Sequence, residues 1–175
     1  MVLAQYNNLK QMYNILPTNM KMYLRQFSSN PTDVNENYFK PEELQVIRNA
    51  IKARENIKAY AGTYTPDNSN PNYIDYDYYR MGNPSFNKAD SFEDSLLGNI
   101  VNSMQSPVYN ASSTVGSAFY NIDKNGNVTI NDRYDFNKGI PLDNANLAYK
   151  LAHFFGTNLG KPYNVKLNLG NINQW

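Results

Sequence analysis

Residues 130 to 139 read INDRYDFNKG, which sets two carboxylates, Asp132 and Asp135, around one phenol, Tyr134. Two close carboxylates can hold a divalent cation, or push their pKa values apart so that one serves as base. A neighbouring phenol can donate to a developing oxyanion. On an extended strand Asp132 and Tyr134 point to the same side, and Asp135 joins them where the strand bends or bulges. The same spacing also suits a plain strand end, with both acids capping the turn and Tyr134 packed on the sheet.

The elements that must position this block can be read outward from it. Asn125-Gly126 separates STVGSAFYNI from VTINDRYDFN, which predicts an antiparallel hairpin with strands at 115–122 and 128–134. Asp123, Asn125, Asn127 and Thr129 alternate as in a calcium loop, but the glycine is misplaced and the twelfth residue is Tyr134 instead of Glu, so the hairpin turn is the better reading. Downstream, Asp143 or Asn144 can cap a helix ANLAYKLAHFF that closes at Gly156. A last strand, YNVKLNLG, puts Val165, Leu167 and Leu169 on one face. His153 is the single histidine of the chain and stands between Leu151 and Phe154 in the predicted helix. Such a residue is either packed or a candidate general acid.

The first third of the chain is helical by period. Leu3, Tyr6, Leu9, Tyr13 and Leu16 share one helical face, and Pro17 ends that run. TNMKMYLRQF follows with Thr18 as N-cap, and SSNPTDVN reads as a loop. The clearest helix is KPEELQVIRNAIKARENIKAY, with Pro41 in the first turn, Glu42 and Glu43 at the positive end of the dipole, and Leu44, Ile47, Ile51 and Ile57 on the helical period. Leu44, Ile47 and Ile51 are expected to be buried. Residues 62–90 are rich in Tyr, Pro and Asn and read as a linker or loop, in which YIDYDYYR is either a recognition surface or a set of rings lying on the sheet. SFEDSLLGNIVNSM reads as a short helix. The expected organisation is a helical region over 1–61, the linker over 62–90, and a β-rich domain over 91–175. The fold class is α+β: helices first, then a small antiparallel sheet with one crossing helix.

Composition narrows the functional classes. A formal net charge of +1, with Lys and Arg scattered, gives no basic stripe, so nucleic acid is not an expected partner. The absence of cysteine excludes thiolate chemistry, disulfides and Cys-ligated metals. The opening MVLAQYNNLKQMYNILP lacks the apolar run of a signal peptide, and no stretch is long and apolar enough to span a bilayer. Walker, nucleophile-elbow, HExxH and dinucleotide-binding motifs do not occur.

DRYDFN after a Gly-containing hairpin, then a helix of LAYKLAHFFG type, then GKPYNVKLNLG, resembles the activity domain of the colicin M-like bacteriocins over about residues 112–170. Upstream, DYDYYRMGNPSF is similar to a Tyr/Asp/Arg/Met stretch of that family. The resemblance implies an open, partly barrel-like β-sheet with helices. It also implies a Mg²⁺-dependent phosphodiesterase that cleaves lipid II, the lipid-linked peptidoglycan precursor, with Asp132, Tyr134 and Asp135 on functional positions and Asp132 and Asp135 as metal ligands. The family follows its acidic block with His-Arg, or with a Tyr and an Arg, whereas this chain reads KGIPLDNAN there. Phosphoryl chemistry needs positive charge on the equatorial oxygens and a proton for the leaving alkoxide. Lys138, Arg133, His153 or a residue distant in sequence would have to supply them.

Two functional classes follow. One is a phage- or virion-associated protein that keeps the colicin M-like domain with an incomplete catalytic set and has a structural or interaction role among other virion proteins. The other is the Mg²⁺-dependent lipid II phosphodiesterase. A virion particle delivering the domain to the bacterial periplasm would reconcile both with the missing signal peptide; otherwise the chain stays in the cytoplasm of the producing cell.

Overall fold

The computed structural model describes residues 11, 13–60, 72–84, 106–134 and 158–175. The described elements are helices α1 (Thr18–Arg25), α2 (Pro41–Tyr60), α3 (Tyr76–Gly82) and α4 (Pro107–Thr114), with strands β1 (Val34–Asn35), β2 (Tyr73–Ile74), β3 (Ala118–Ile122), β4 (Asn127–Tyr134) and β5 (Tyr163–Asn171). The strands form one sheet in the order β1-β5-β4-β3-β2. The class is α+β.

The hairpin forms where Asn125-Gly126 predicts it. Gly126 takes φ +86, which an L side chain rarely adopts, and the Asp123 carboxylate accepts from Asn125 N at 2.8 Å and Asn127 N at 2.9 Å. β3 and β4 then pair antiparallel, with Tyr120 opposite Ile130. β5 pairs antiparallel along all of β4, with a bulge beside Val128 and Thr129. Tyr163, Val165, Leu167 and Leu169 alternate inward as the period of two requires.

Two features of the sheet depart from the sequence expectation. It is mixed, because β1 runs parallel to β5 with Val34 opposite Val165. Among the described residues it is also open, with the two-residue strands β1 and β2 at its edges, where an antiparallel and partly barrel-like sheet was expected. Residues of the expected helical region thus complete the sheet of the expected β-rich domain. Residues 72–84, inside the expected linker, carry β2 and α3. The predicted helices at 91–104 and 145–155, and the face containing Leu3, Tyr6 and Leu9, lie outside the described residues.

α2 begins at Pro41 with Glu42 and Glu43 in its first turn, as predicted. Ile47 and Ile51 are fully buried and Leu44 is partly buried. They join Val46, Ala50 and the inward residues of β3, β4 and β5 in one hydrophobic cluster. Arg48 Nε donates to Leu169 O at 3.0 Å, and the Tyr120 hydroxyl donates to Glu55, so α2 is tied to the sheet at two points. α1 starts one residue earlier than a Thr18 cap would allow. Pro17 occupies the N-cap without a side-chain bond, and Thr18 is buried with its Oγ1 donating to Glu43 Oε2 at 2.8 Å.

Candidate functional site

Asp132 and Tyr134 lie on the same face of β4, opposite Val165 and Tyr163 of β5, as alternation demands. That face is the inner one, and β4 is the central strand of five. Both side chains are half-buried, on a strand that has described neighbours along both of its sides. The two then diverge. The Tyr134 ring stacks on Tyr163 with centroids 5.2 Å apart and planes 19° apart. Arg25 lies over Tyr163 at 5.9 Å and over Tyr38 at 5.3 Å, and the Tyr163 hydroxyl donates to Met22 O at 2.8 Å. Burial pushes the Tyr163 and Tyr38 phenols well above their ordinary range. This aromatic layer is a packing feature at the end of the sheet.

Asp132 instead opens onto a cavity of about 530 Å³. Its walls come from several elements: Arg54 of α2, Tyr73 of β2, Asp75 and Tyr78 at the start of α3, Ser117 and Phe119 at β3. Arg54 is only 7% exposed, and its guanidinium lies over the Tyr78 ring at 5.2 Å. α3 is held in place to make this contact. Asp75 caps it by accepting from Asp77 N at 2.9 Å and Tyr78 N at 3.4 Å. At its other end Asn83 Nδ2 donates to Val46 O at 3.2 Å. The Tyr73 and Phe119 rings stand 5.0 Å apart beside the cavity.

Among the described residues, no three acidic or histidine side chains group as a metal site. Mg²⁺ asks for less, since it is held through one or two carboxylates with water and substrate phosphates completing the shell. Asp132 and Asp75 both stand on the cavity wall, and Asp75 commits one oxygen to the helix cap. Asp135 and His153, and with them the second expected metal ligand and the expected proton carrier, lie outside the described residues, as does Lys138. Arg133 is exposed on the opposite face of β4 from Asp132.

Sequence reading missed Arg54, Asp75 and Ser117. Arg54 left one signal: it follows Ile47 and Ile51 on the period of the buried stripe, where a solvated arginine does not belong. YIDYDYYR divides its roles, with Tyr79 fully buried and Tyr73 and Tyr78 at the cavity. Comparison with protein-family models, curated proteins and solved structures finds no match to the chain.

Proposed function

We propose that the chain is a colicin M-like phosphodiesterase, with Asp132 acting at the cavity it shares with Arg54, and with lipid II as substrate. The observation that supports this most is the presence of Arg54. The acidic block lacks the arginine of the resembled family, and α2 brings a buried cation to the same cavity from elsewhere in the chain. A guanidinium there would offset charge on the phosphoryl oxygens, worth on the order of a hundredfold or more in rate. Tyr73 and Tyr78 line the same cavity, and a hydroxyl of either would serve as donor toward a leaving alkoxide. Mg²⁺ would be held by Asp132, with Asp135 as the second carboxylate, and when bound would polarise the phosphoryl group as a Lewis acid. Hydrolysis consumes one water and releases the prenol and the pyrophosphoryl product. Delivery in a virion particle remains the route by which such a domain reaches its substrate, in line with the finding that no helix among the described residues is long and apolar enough to cross a membrane.

A second reading, a structural or interaction protein of a virion with the acidic block kept as scaffold, is favoured by Tyr134. Its ring stacks on Tyr163 and is not part of the described cavity wall. Lipid II hydrolysis with Mg²⁺ decides between the two. The enzyme reading expects turnover in the wild type and a loss of about a hundredfold or more in Asp132→Asn and Asp135→Ala. A folded wild type without turnover overturns it in favour of the structural role.

A further inference from the structure

We infer that the cavity binds the phosphoryl group of an organic phosphate or diphosphate directly on the Arg54 guanidinium. The inference rests on the same cavity as the proposed activity, but it requires no turnover.

Arg54 is 93% buried by its 7% exposure, and its Nε has no hydrogen-bond acceptor. Its guanidinium lies over the Tyr78 ring, a weak substitute for an anion. The other arginines that touch the fold behave differently. Arg25 Nε donates to Thr32 O at 2.8 Å and Arg48 Nε to Leu169 O at 3.0 Å. A buried guanidinium nitrogen left without an acceptor is costly, and is held only where the surrounding structure over-determines it or a ligand supplies the missing oxygen.

The rest of the wall says which anion. Tyr73, Tyr78 and Ser117, residues that carry hydroxyls, line the same cavity as Arg54. A planar carboxylate is satisfied by the guanidinium fork alone, whereas a phosphoryl group presents oxygens in several directions and uses the hydroxyls too. A cavity of about 530 Å³ falls in the size range of small-molecule sites, so the phosphate would be one end of a larger ligand. The paired Tyr73 and Phe119 rings, the latter half-exposed, offer that larger body an aromatic face. Asp132 lines the same cavity, and a divalent cation carried in with the phosphate would bring opposite charge to that carboxylate.

The test is titration of inorganic pyrophosphate into the full chain with Mg²⁺ present, followed by calorimetry and by thermal unfolding, with acetate as the control anion. Wild type, Arg54→Lys and Arg54→Met are compared. The expected result is saturable binding in the wild type, at least tenfold weaker binding in Arg54→Lys, and none in Arg54→Met, with no response to acetate. Without ligand, Arg54→Met should unfold at a temperature equal to or above the wild type, because a buried charge whose Nε lacks an acceptor has been removed. Pyrophosphate should raise the unfolding temperature of the wild type only. Absence of saturable binding in the wild type, equal affinity in wild type and Arg54→Lys, or equal response to acetate would each overturn the inference. The first two comparisons stand even where Arg54→Met does not fold. Pyrophosphate binding without lipid II turnover would leave this site intact and remove the proposed enzyme activity; turnover with an unchanged KM in Arg54→Lys would remove this site alone.

Discussion

Glu43 and Arg54 stand near the two ends of the buried stripe of α2, and the spacing of Arg54 on that stripe is the one sign of burial the sequence carries for the pair. Charged side chains on a helix otherwise read as its solvated face until the tertiary partner is known. Glu43 is fully buried, accepts from Thr18 Oγ1 at 2.8 Å and Lys40 N at 2.9 Å through Oε2, and leaves Oε1 without a partner. Burial pushes its carboxyl above the ordinary value near 4.5, against the smaller opposing pull of the Lys40 amide and the Thr18 hydroxyl. A raised pKa means that the folded state holds its proton more tightly, so stability from this group is full at low pH and falls as pH rises through the raised value. Glu43→Gln should therefore match or exceed the wild type in unfolding temperature near neutral pH. Its advantage should vanish at or below the ordinary carboxylate range, which unfolding scans across pH would show. Constant advantage at every pH would contradict the burial account. For Asp132 and Tyr134, the sequence revealed their shared side but not its destination. Parity along a strand follows from the backbone, whereas facing the core depends on β4 having neighbours on both edges.

At the scale of elements, the close approach of α2 and α3 is what brings Arg54 onto Tyr78. Gly82 permits it: a Cβ at that position would lie 2.3 Å from Asn49 O and 2.5 Å from Asn49 C, both backbone atoms that cannot step aside. Gly82→Ala should cost on the order of 1–3 kcal/mol through overpacking. It should also displace α3, so that pyrophosphate binding weakens in a protein that still folds. Denaturant titration with the binding assay checks both, and an unchanged stability would show that the helices can part without cost. Long periodic elements were legible for a physical reason. α2 and β5 repeat their pattern over several turns or pairs, and the β3–β4 hairpin is set by a local turn chemistry. β1 and β2 are two residues each, too short to show a period, and exist because β5 and β3 offer them edges. Thr18 misled because Pro17 already supplies the extended backbone of the cap and Glu43 claims the threonine hydroxyl.

For the whole molecule, the described parts of both halves share one core, and β1 ties the N-terminal half into the sheet beside β5. Lys166 Nζ reinforces the junction by pairing with Asp33 at 2.7 Å. The inward face of β4 and β5, Val128, Ile130, Val165 and Leu167, joins a cluster completed by Val46, Ile47, Ala50 and Ile51 of α2. A fragment of residues 91–175 should therefore lack a cooperative unfolding transition and dispersed amide resonances, while the full chain shows both; a folded fragment would mean that the sheet needs no cover from α2. The predicted α+β class carried over because it follows from which segments are periodic, and the mixed, open sheet did not because it depends on pairings far apart in sequence. The same distance hid the cavity, whose cation and acid come from α2 and β4. The central claim is that Asp132 and Arg54 work on one substrate in that cavity, and a double-mutant cycle on Mg²⁺-dependent lipid II turnover tests it most directly. With Asp132→Asn, Arg54→Gln and the double variant, the account predicts that each single change lowers kcat/KM by about a hundredfold or more and that the double variant is little worse than either. Losses that simply multiply, or a folded wild type with no turnover to lose, would contradict it.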